Sequence, residues 1–509
     1  MVQKFNRIHV KKGNSMVDFM LRIGPHRSIL FVIGVNIILH IMVMGNFKLS
    51  PDEAHYALYA LHLDWSYFDH PPLTGWLQYL AMYISEHEFS LRIWPLLLMS
   101  WTIYVVYQLS NFWFPDENKW VSFWAATFIS LMPLYQLLSM ALIPETLLIV
   151  WGAGIALWLT KSLSTPTTKN WIILGILFGL AGMSKYTAVT LVISTIIILI
   201  HQHHWSLIKT KGPWLSVIIA LIIISPVFYW NATHDWISFL YQLHRTGSHN
   251  EWAGSTVWSG QTFLAAQIGQ MLSYGPIFYL LGWGLVFTSF TKWGNKGVVY
   301  SIVFSLPLLV LININSGYYP NPYWVALAWV LVTPYVANWV WKHWYLRVVR
   351  ISTIISFMYA ILFGSYMYVQ LGTNYFDFPD GKNPFAELYG WDLASERANE
   401  LRVNYFGDNE DAKLFVGSWT IASRLAWYSR PAPVVVTDKW FDQFDLWYGS
   451  PQNGAYGIFV SWSMYTFEPK VGRGTGMFDS CKHIETMPVH ISGKVAAYYN
   501  YYSCVGYKL

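Results

Sequence analysis

The sequence predicts a polytopic α-helical membrane protein that carries a small α/β domain at its C-terminal end. Three observations point there. The chain is 54% hydrophobic and 12% charged, with positive mean hydropathy, against about 25% charged residues in an ordinary soluble chain. Apolar runs of about 18 to 22 residues recur between short polar breaks, each long enough to cross a bilayer. From about Leu371 the chain becomes charged and turn-rich, with short β-branched runs, as a folded domain outside the membrane would. The 29 Trp and 34 Tyr suit interfacial belts and an aromatic-walled cavity. A net charge of +5 requires no nucleic acid, because the basic residues cluster between spans and report topology.

About eleven spans are expected, within a membrane domain over 1–370. The first segment carries Lys4, Arg7, Lys11, Lys12, Arg22 and Arg27, which holds it in the cytoplasm; it has no cleavage site of a signal peptide. Span one, about 28–46, delivers a loop over 46–90 to the other side. Within that loop Ala54–Leu63 and Leu73–Ile84 have amphipathic helical spacing and read as interfacial helices. Spans follow at about 90–113, 120–138, 146–160, 171–183, 187–201, 213–230, 261–290, 297–313, 323–341 and 351–370. On this assignment the lysine- and arginine-rich breaks share one side, and the outer breaks hold only Lys48, Lys185, Arg245 and the boundary residue Arg92. His201, His203 and His204 form a short run at an inner edge, which reads as interfacial polarity and not as a metal site. The outer domain, 371–509, has strand-like runs at Lys413–Val416, Pro433–Thr437 and Gly457–Ser461, and a helix over Ala394–Arg402. Its Cys481 and Cys504 are a disulfide or two thiols according to compartment.

The candidate site lies in the first outer loop. Pro51-Asp52-Glu53-Ala54-His55-Tyr56 and Tyr67-Phe68-Asp69-His70-Pro71-Pro72 crowd acids, imidazoles and hydroxyls where a span meets water. Such acids are often solvated loop residues; the surrounding aromatic and imidazole groups favour a pocket wall. Glu145 is a lone carboxylate beside Pro144 at the outer start of a span. A helix-start acid is the plain alternative, but an acid near the bilayer is seldom idle. Lys185, followed by Tyr186, is a cation between two apolar segments on the same side; snorkelling is its plain alternative. Arg245 offers a guanidinium suited to bidentate phosphate contact. Acids with separated cations suit an anionic leaving group: the cations hold the phosphate and a carboxylate orients or deprotonates the acceptor. No P-loop or dinucleotide fingerprint is present, so a lipid-linked donor is the simplest one on that side.

The run Asp52-Glu53-Ala54-His55-Tyr56-Ala57-Leu58-Tyr59, continued by Ser66-Tyr67-Phe68-Asp69-His70-Pro71-Pro72-Leu73, resembles the first-loop signature of bacterial C-type (GT-C) membrane glycosyltransferases. That grouping takes in protein O-mannosyltransferases and the lipid A aminoarabinose transferase, ArnT. The resemblance continues at Pro144-Glu145-Thr146, Gly182-Met183-Ser184-Lys185-Tyr186, Arg245, Gln267-Ile268-Gly269-Gln270, Gly390-Trp391-Asp392 and Phe444-Asp445-Leu446-Trp447, in the family's order along the chain. It implies the GT-C fold with a periplasmic C-terminal domain, in the bacterial inner membrane with a cytoplasmic N-terminus. It also implies transfer of a sugar, with inversion, from a polyprenyl phosphate such as undecaprenyl phosphate to lipid A, lipopolysaccharide or another envelope glycan. The family's essential aspartate falls on Asp52, with Glu53 beside it. Its second acid falls on Glu145, where Asp is usual. Lys185, Tyr186, Arg245, His55, His70 and Tyr56 fall to donor-phosphate and substrate binding. Membrane lipids are the other expected partners, no cofactor is indicated, and a monomer is expected. Transfer to protein hydroxyls, or a flippase of lipid-linked sugars, are the alternatives.

Overall fold

A computed structural model describes residues 16–202, 204–245, 257–407, 409 and 411–509. His203, weighed above within the histidine run, lies outside the described residues, as do Lys4, Arg7, Lys11 and Lys12.

The membrane domain is a bundle of apolar helices. Among the described residues, seven are long and apolar enough to cross a bilayer: Arg22–Val43, Glu88–Trp113, Pro144–Ser164, Lys211–Thr233, Lys296–Asn315, Pro322–Lys342 and Arg347–Thr373. Thr168–Gly182 and Tyr186–His201 are shorter apolar helices. Two expected spans are interrupted. The segment at 120–138 is divided into Lys119–Leu131 and Pro133–Leu138, because proline at 133 removes a backbone donor. The segment at 261–290 turns by 110° between Gly260–Tyr274 and Pro276–Lys292. Gly275 sits there at φ 88, a left-handed conformation that glycine adopts without strain, and Pro276 restarts the helix. Helix Thr168–Gly182 lies close against Lys211–Thr233, and a β-carbon on Gly175 or Gly179 would overlap Ser216 or Ile223. Small residues permit such close helix contact in lipid.

The first outer loop contains helices Pro51–Leu61 and Leu73–Met82. The second fits an interfacial role: Tyr79 and Leu80 are exposed, as are Tyr83 and Ile84 just beyond it. The first does not. Every residue from Glu53 to Ala60 is buried, because the outer domain covers the face expected to meet the interface. Ala54, Ala57 and Leu58 share a core with Ile421, Ala422 and Leu425.

The outer domain is built on one five-stranded sheet of order β2-β1-β3-β5-β4, formed by β1 (Lys413–Val416), β2 (Val434–Val436), β3 (Gly457–Trp462), β4 (Met477–Ile491) and β5 (Lys494–Lys508). Strands β2, β1 and β3 run parallel, while β3–β5 and β4–β5 pair antiparallel. Helices Trp391–Phe406 and Trp419–Tyr428 pack on the sheet. The β4–β5 hairpin turns at Ser492 and Gly493, both at positive φ, the geometry that matches strand twist. Cys481 and Cys504 face each other across that hairpin and form a disulfide.

Candidate active site

Helix Pro51–Leu61 begins with a capping box. Ser50 Oγ accepts from the Glu53 amide at 3.4 Å, and Glu53 Oε2 accepts from the Ser50 amide at 3.0 Å. Proline at the first position suits this helix start, so Asp52 stands in the first turn at its positive end. The half-buried Asp52 carboxylate accepts a hydrogen bond from Tyr323 at 3.3 Å. Burial pushes Asp52 up to about 6; the nearby Glu145 charge acts in the same direction, and His55 and Tyr323 oppose it.

Glu53 does not join it, contrary to the expectation that both acids serve the site. Its carboxylate turns inward onto Arg92, whose Nε donates to Oε1 at 2.7 Å and Nη2 to Oε2 at 3.2 Å. Arg92 also donates to the carbonyls of Met44, Phe47 and Lys48. The guanidinium therefore gathers the chain between span one and the Pro51–Leu61 helix around one buried charge pair. Glu53 holds the loop that presents Asp52.

Glu145, in the first turn of Pro144–Ser164, is buried and paired with Lys185. Lys185 comes from the break before the Tyr186–Ala188 turn and lies 5.6 Å from the Trp324 ring centre. The lysine expected to bind an anion thus carries a carboxylate partner. A third acid, Asp69 of the first-loop motif, joins the site without having been expected there. It accepts from the Tyr59 hydroxyl and lies 3.3 Å from His55 Nε2. Burial pushes Asp69 upward, yet His55, His70 and Tyr59 outweigh it and hold the carboxyl well below the usual range. Its signal was an acid two residues before a proline pair and beside a histidine.

Tyr56 lies among these groups. Its ring meets those of His55, Tyr59 and His70 at 5.4, 5.3 and 5.8 Å. Burial, then the charges of Asp69, Asp52 and Glu145, keep its hydroxyl protonated far above the ordinary range. His70 is buried beside it. Tyr186 lies farther along the wall with its ring edge-on to Phe239 at 5.2 Å. Arg245 ends the helix Ile237–Arg245; its side chain lies outside the described residues.

The outer domain supplies residues that the sequence did not mark. Ser423 Oγ meets His55 Nδ1 at 3.3 Å. Arg424 is buried with its guanidinium 4.1 and 4.7 Å from the ring centres of Trp391 and Trp462, and donates to the Glu387 carbonyl. Burial pulls Arg424 down to about 10 while Tyr499, Glu387, Tyr428 and Asp52 favour its charge. Among the described residues, no group of three histidine, cysteine, aspartate or glutamate side chains is placed to hold a metal ion.

Residues 69–230 match the model of the dolichyl-phosphate-mannose-protein mannosyltransferase family. Over 453 residues the chain is 24% identical to the lipid A galacturonosyltransferase RgtD of Rhizobium johnstonii, covering 86% of this chain and 85% of that one. The lipopolysaccharide core galacturonosyltransferase RgtA of the same organism is 23% identical over 200 residues, 38% of this chain and 39% of its own. The fold is similar to that of ArnT from Cupriavidus metallidurans bound to undecaprenyl phosphate, with TM-score 0.59 and 12% identity over 93% of this chain and 98% of that one. Fold and sequence together define the class: this is a multi-pass membrane glycosyltransferase. Its fold is ArnT-like.

Proposed function

We propose that the chain transfers a sugar from a polyprenyl phosphate, such as undecaprenyl phosphate, to lipid A, lipopolysaccharide or a related envelope glycan, with inversion at the anomeric carbon. The reaction takes place on the periplasmic face of the inner membrane. The observation that carries the reading is the meeting of Asp52, the Glu145–Lys185 pair and the Asp69–His55 pair around Tyr56. The similarity to RgtD over most of both chains supports a lipid A-type acceptor, and the fold of undecaprenyl phosphate-bound ArnT supports the donor. The Cys481–Cys504 disulfide supports an oxidising compartment for the outer domain.

In this reading the bond between the anomeric carbon and the donor phosphate oxygen breaks, and the acceptor oxygen takes its place. Polyprenyl phosphate leaves with the bonding electron pair. Lys185 stabilises the developing phosphate charge by exchanging part of its contact with Glu145, and His70, Tyr56 and Arg245 complete the cradle. A hydroxyl acceptor gives its proton to Asp52, whose carboxyl near 6 suits a general base at neutral pH. A phosphate acceptor is already a nucleophile, and Asp52 then orients it. The protein works as a monomer.

The test is incubation of purified protein with labelled polyprenyl-phosphate sugars and lipid A, followed by mass spectrometry of the lipid product. Labelled lipid A carries the reading; movement of the donor across vesicles without transfer would sink it.

A further inference from the structure

A polar cluster at the outer end of the membrane domain takes no part in the scheme above. Helix Gly260–Tyr274 exposes Leu264, Ile268 and Leu272, spaced at four residues along one face, a stripe suited to lipid. Gln270, on another face of the helix, is 1% exposed. Asn313 Oδ1, from helix Lys296–Asn315, accepts from Gln267 Nε2 at 3.0 Å and from Gln270 Nε2 at 3.4 Å. Gln267 Oε1 accepts in turn from the Tyr279 hydroxyl at 2.5 Å. These bonds fix both amide orientations. With its nitrogen committed to Asn313, Gln270 turns Oε1 the other way, where it has no hydrogen-bond partner among the described residues.

A polar network joining helices needs no ligand, and the Tyr279–Gln267–Asn313 chain fits that plain role. Gln270 Oε1 does not, since an unpaired amide acceptor buried at membrane depth is destabilising. Its position is also informative. Tyr274, one helical turn on, donates to the Pro322 carbonyl at 2.9 Å. The next residue, Tyr323, reaches Asp52, and Trp324 lies beside Lys185. The cluster therefore adjoins the candidate site through a single turn.

We propose that Gln270 Oε1 accepts a hydrogen bond from a sugar hydroxyl of a substrate, which makes this amide cluster the sugar-recognising subsite; the inference rests on the transferase reading above. An oriented carbonyl oxygen among neutral amides repels a phosphate and welcomes a neutral donor.

The test compares full-length wild type with Gln270→Met, which keeps length but removes the acceptor, and with Gln270→Asn, which keeps the amide but withdraws it. Three quantities are read: KM for the lipid-linked sugar, KM for the acceptor, and inhibition by sugarless polyprenyl phosphate. The expected result is a donor KM raised about tenfold, the loss of one neutral hydrogen bond, with inhibition by polyprenyl phosphate unchanged. A rise confined to the acceptor KM assigns the hydroxyl to the acceptor sugar instead. Unchanged KM values for both substrates, or equal weakening of donor and bare polyprenyl phosphate, would overturn the proposal. Wild-type protein inactive with every lipid-linked sugar would remove the transferase reading itself.

Discussion

Glu53→Ala separates a structural acid from a catalytic one. The Glu53 and Arg92 side chains are 5% and 1% exposed, so each charge depends on the other. Removing one partner of such a pair leaves an uncompensated buried charge and costs roughly 3–5 kcal/mol. Arg92→Met would cost a similar amount, because Glu53 then retains only the Ser50 amide among its charge-stabilising contacts. The double substitution removes both charges together. It should therefore be less destabilising than the sum, with a coupling of roughly 2–3 kcal/mol. Reversible unfolding in mixed micelles with rising denaturing detergent measures all four corners of this cycle. Transfer rate per folded molecule, measured alongside, should fall modestly as the Asp52 loop loosens. Glu53→Ala with wild-type stability and no transfer would show that Glu53 works on substrate, and the structural reasoning would be wrong.

For a hydroxyl acceptor, kcat/KM should climb with pH through about 6, because Asp52 becomes a carboxylate above its raised pKa; a flat profile would remove the base role. Lys185→Ala should raise donor KM and lower stability, since Glu145 loses its buried partner. Adding Glu145→Gln should restore stability without restoring donor KM, whereas recovery of both would limit Lys185 to a structural role. Asp69 has a depressed pKa, so its pairing stabilises the fold above the ordinary carboxylate pKa and that contribution disappears as pH falls through the folded value. Asp69→Asn should be less stable than wild type at pH 7 and converge with it in acid; a gap that widens in acid would contradict this. The disulfide closes a separation of 23 residues, so Cys504→Ser should lower outer-domain stability by about 3 kcal/mol, read as earlier proteolysis within the β4–β5 hairpin.

Much of the membrane domain was legible because apolar length is a strong local signal. The helices at 90–113, 146–160 and 297–313 fall close to Glu88–Trp113, Pro144–Ser164 and Lys296–Asn315. Breaks were harder: Pro133 and Gly275-Pro276 interrupt stretches that read along the sequence as continuous spans. Asp52 stands out through the imidazoles and tyrosines crowded around it in the sequence, and Glu145 as a lone acid at the start of a span. The inward turn of Glu53 has no local signal, because a partner 39 residues away, Arg92, decides its direction. The burial of helix Pro51–Leu61 was also out of reach, since its cover comes from Trp419–Tyr428. Strand β1 is visible as a short apolar run, but β4 alternates weakly through Lys482, Glu485 and Pro488, and its long pairing with β5 leaves little trace. Ser423 and Arg424 carry no local signal of their contact with the first loop.

Single-turnover transfer by Asp52→Asn, beside donor binding to the same preparation, bears most directly on the convergence of the first loop with the Glu145–Lys185 pair. Donor affinity should stay near wild type while the rate of sugar transfer falls by orders of magnitude. Transfer at the wild-type rate would contradict the placement of Asp52 at the reacting centre.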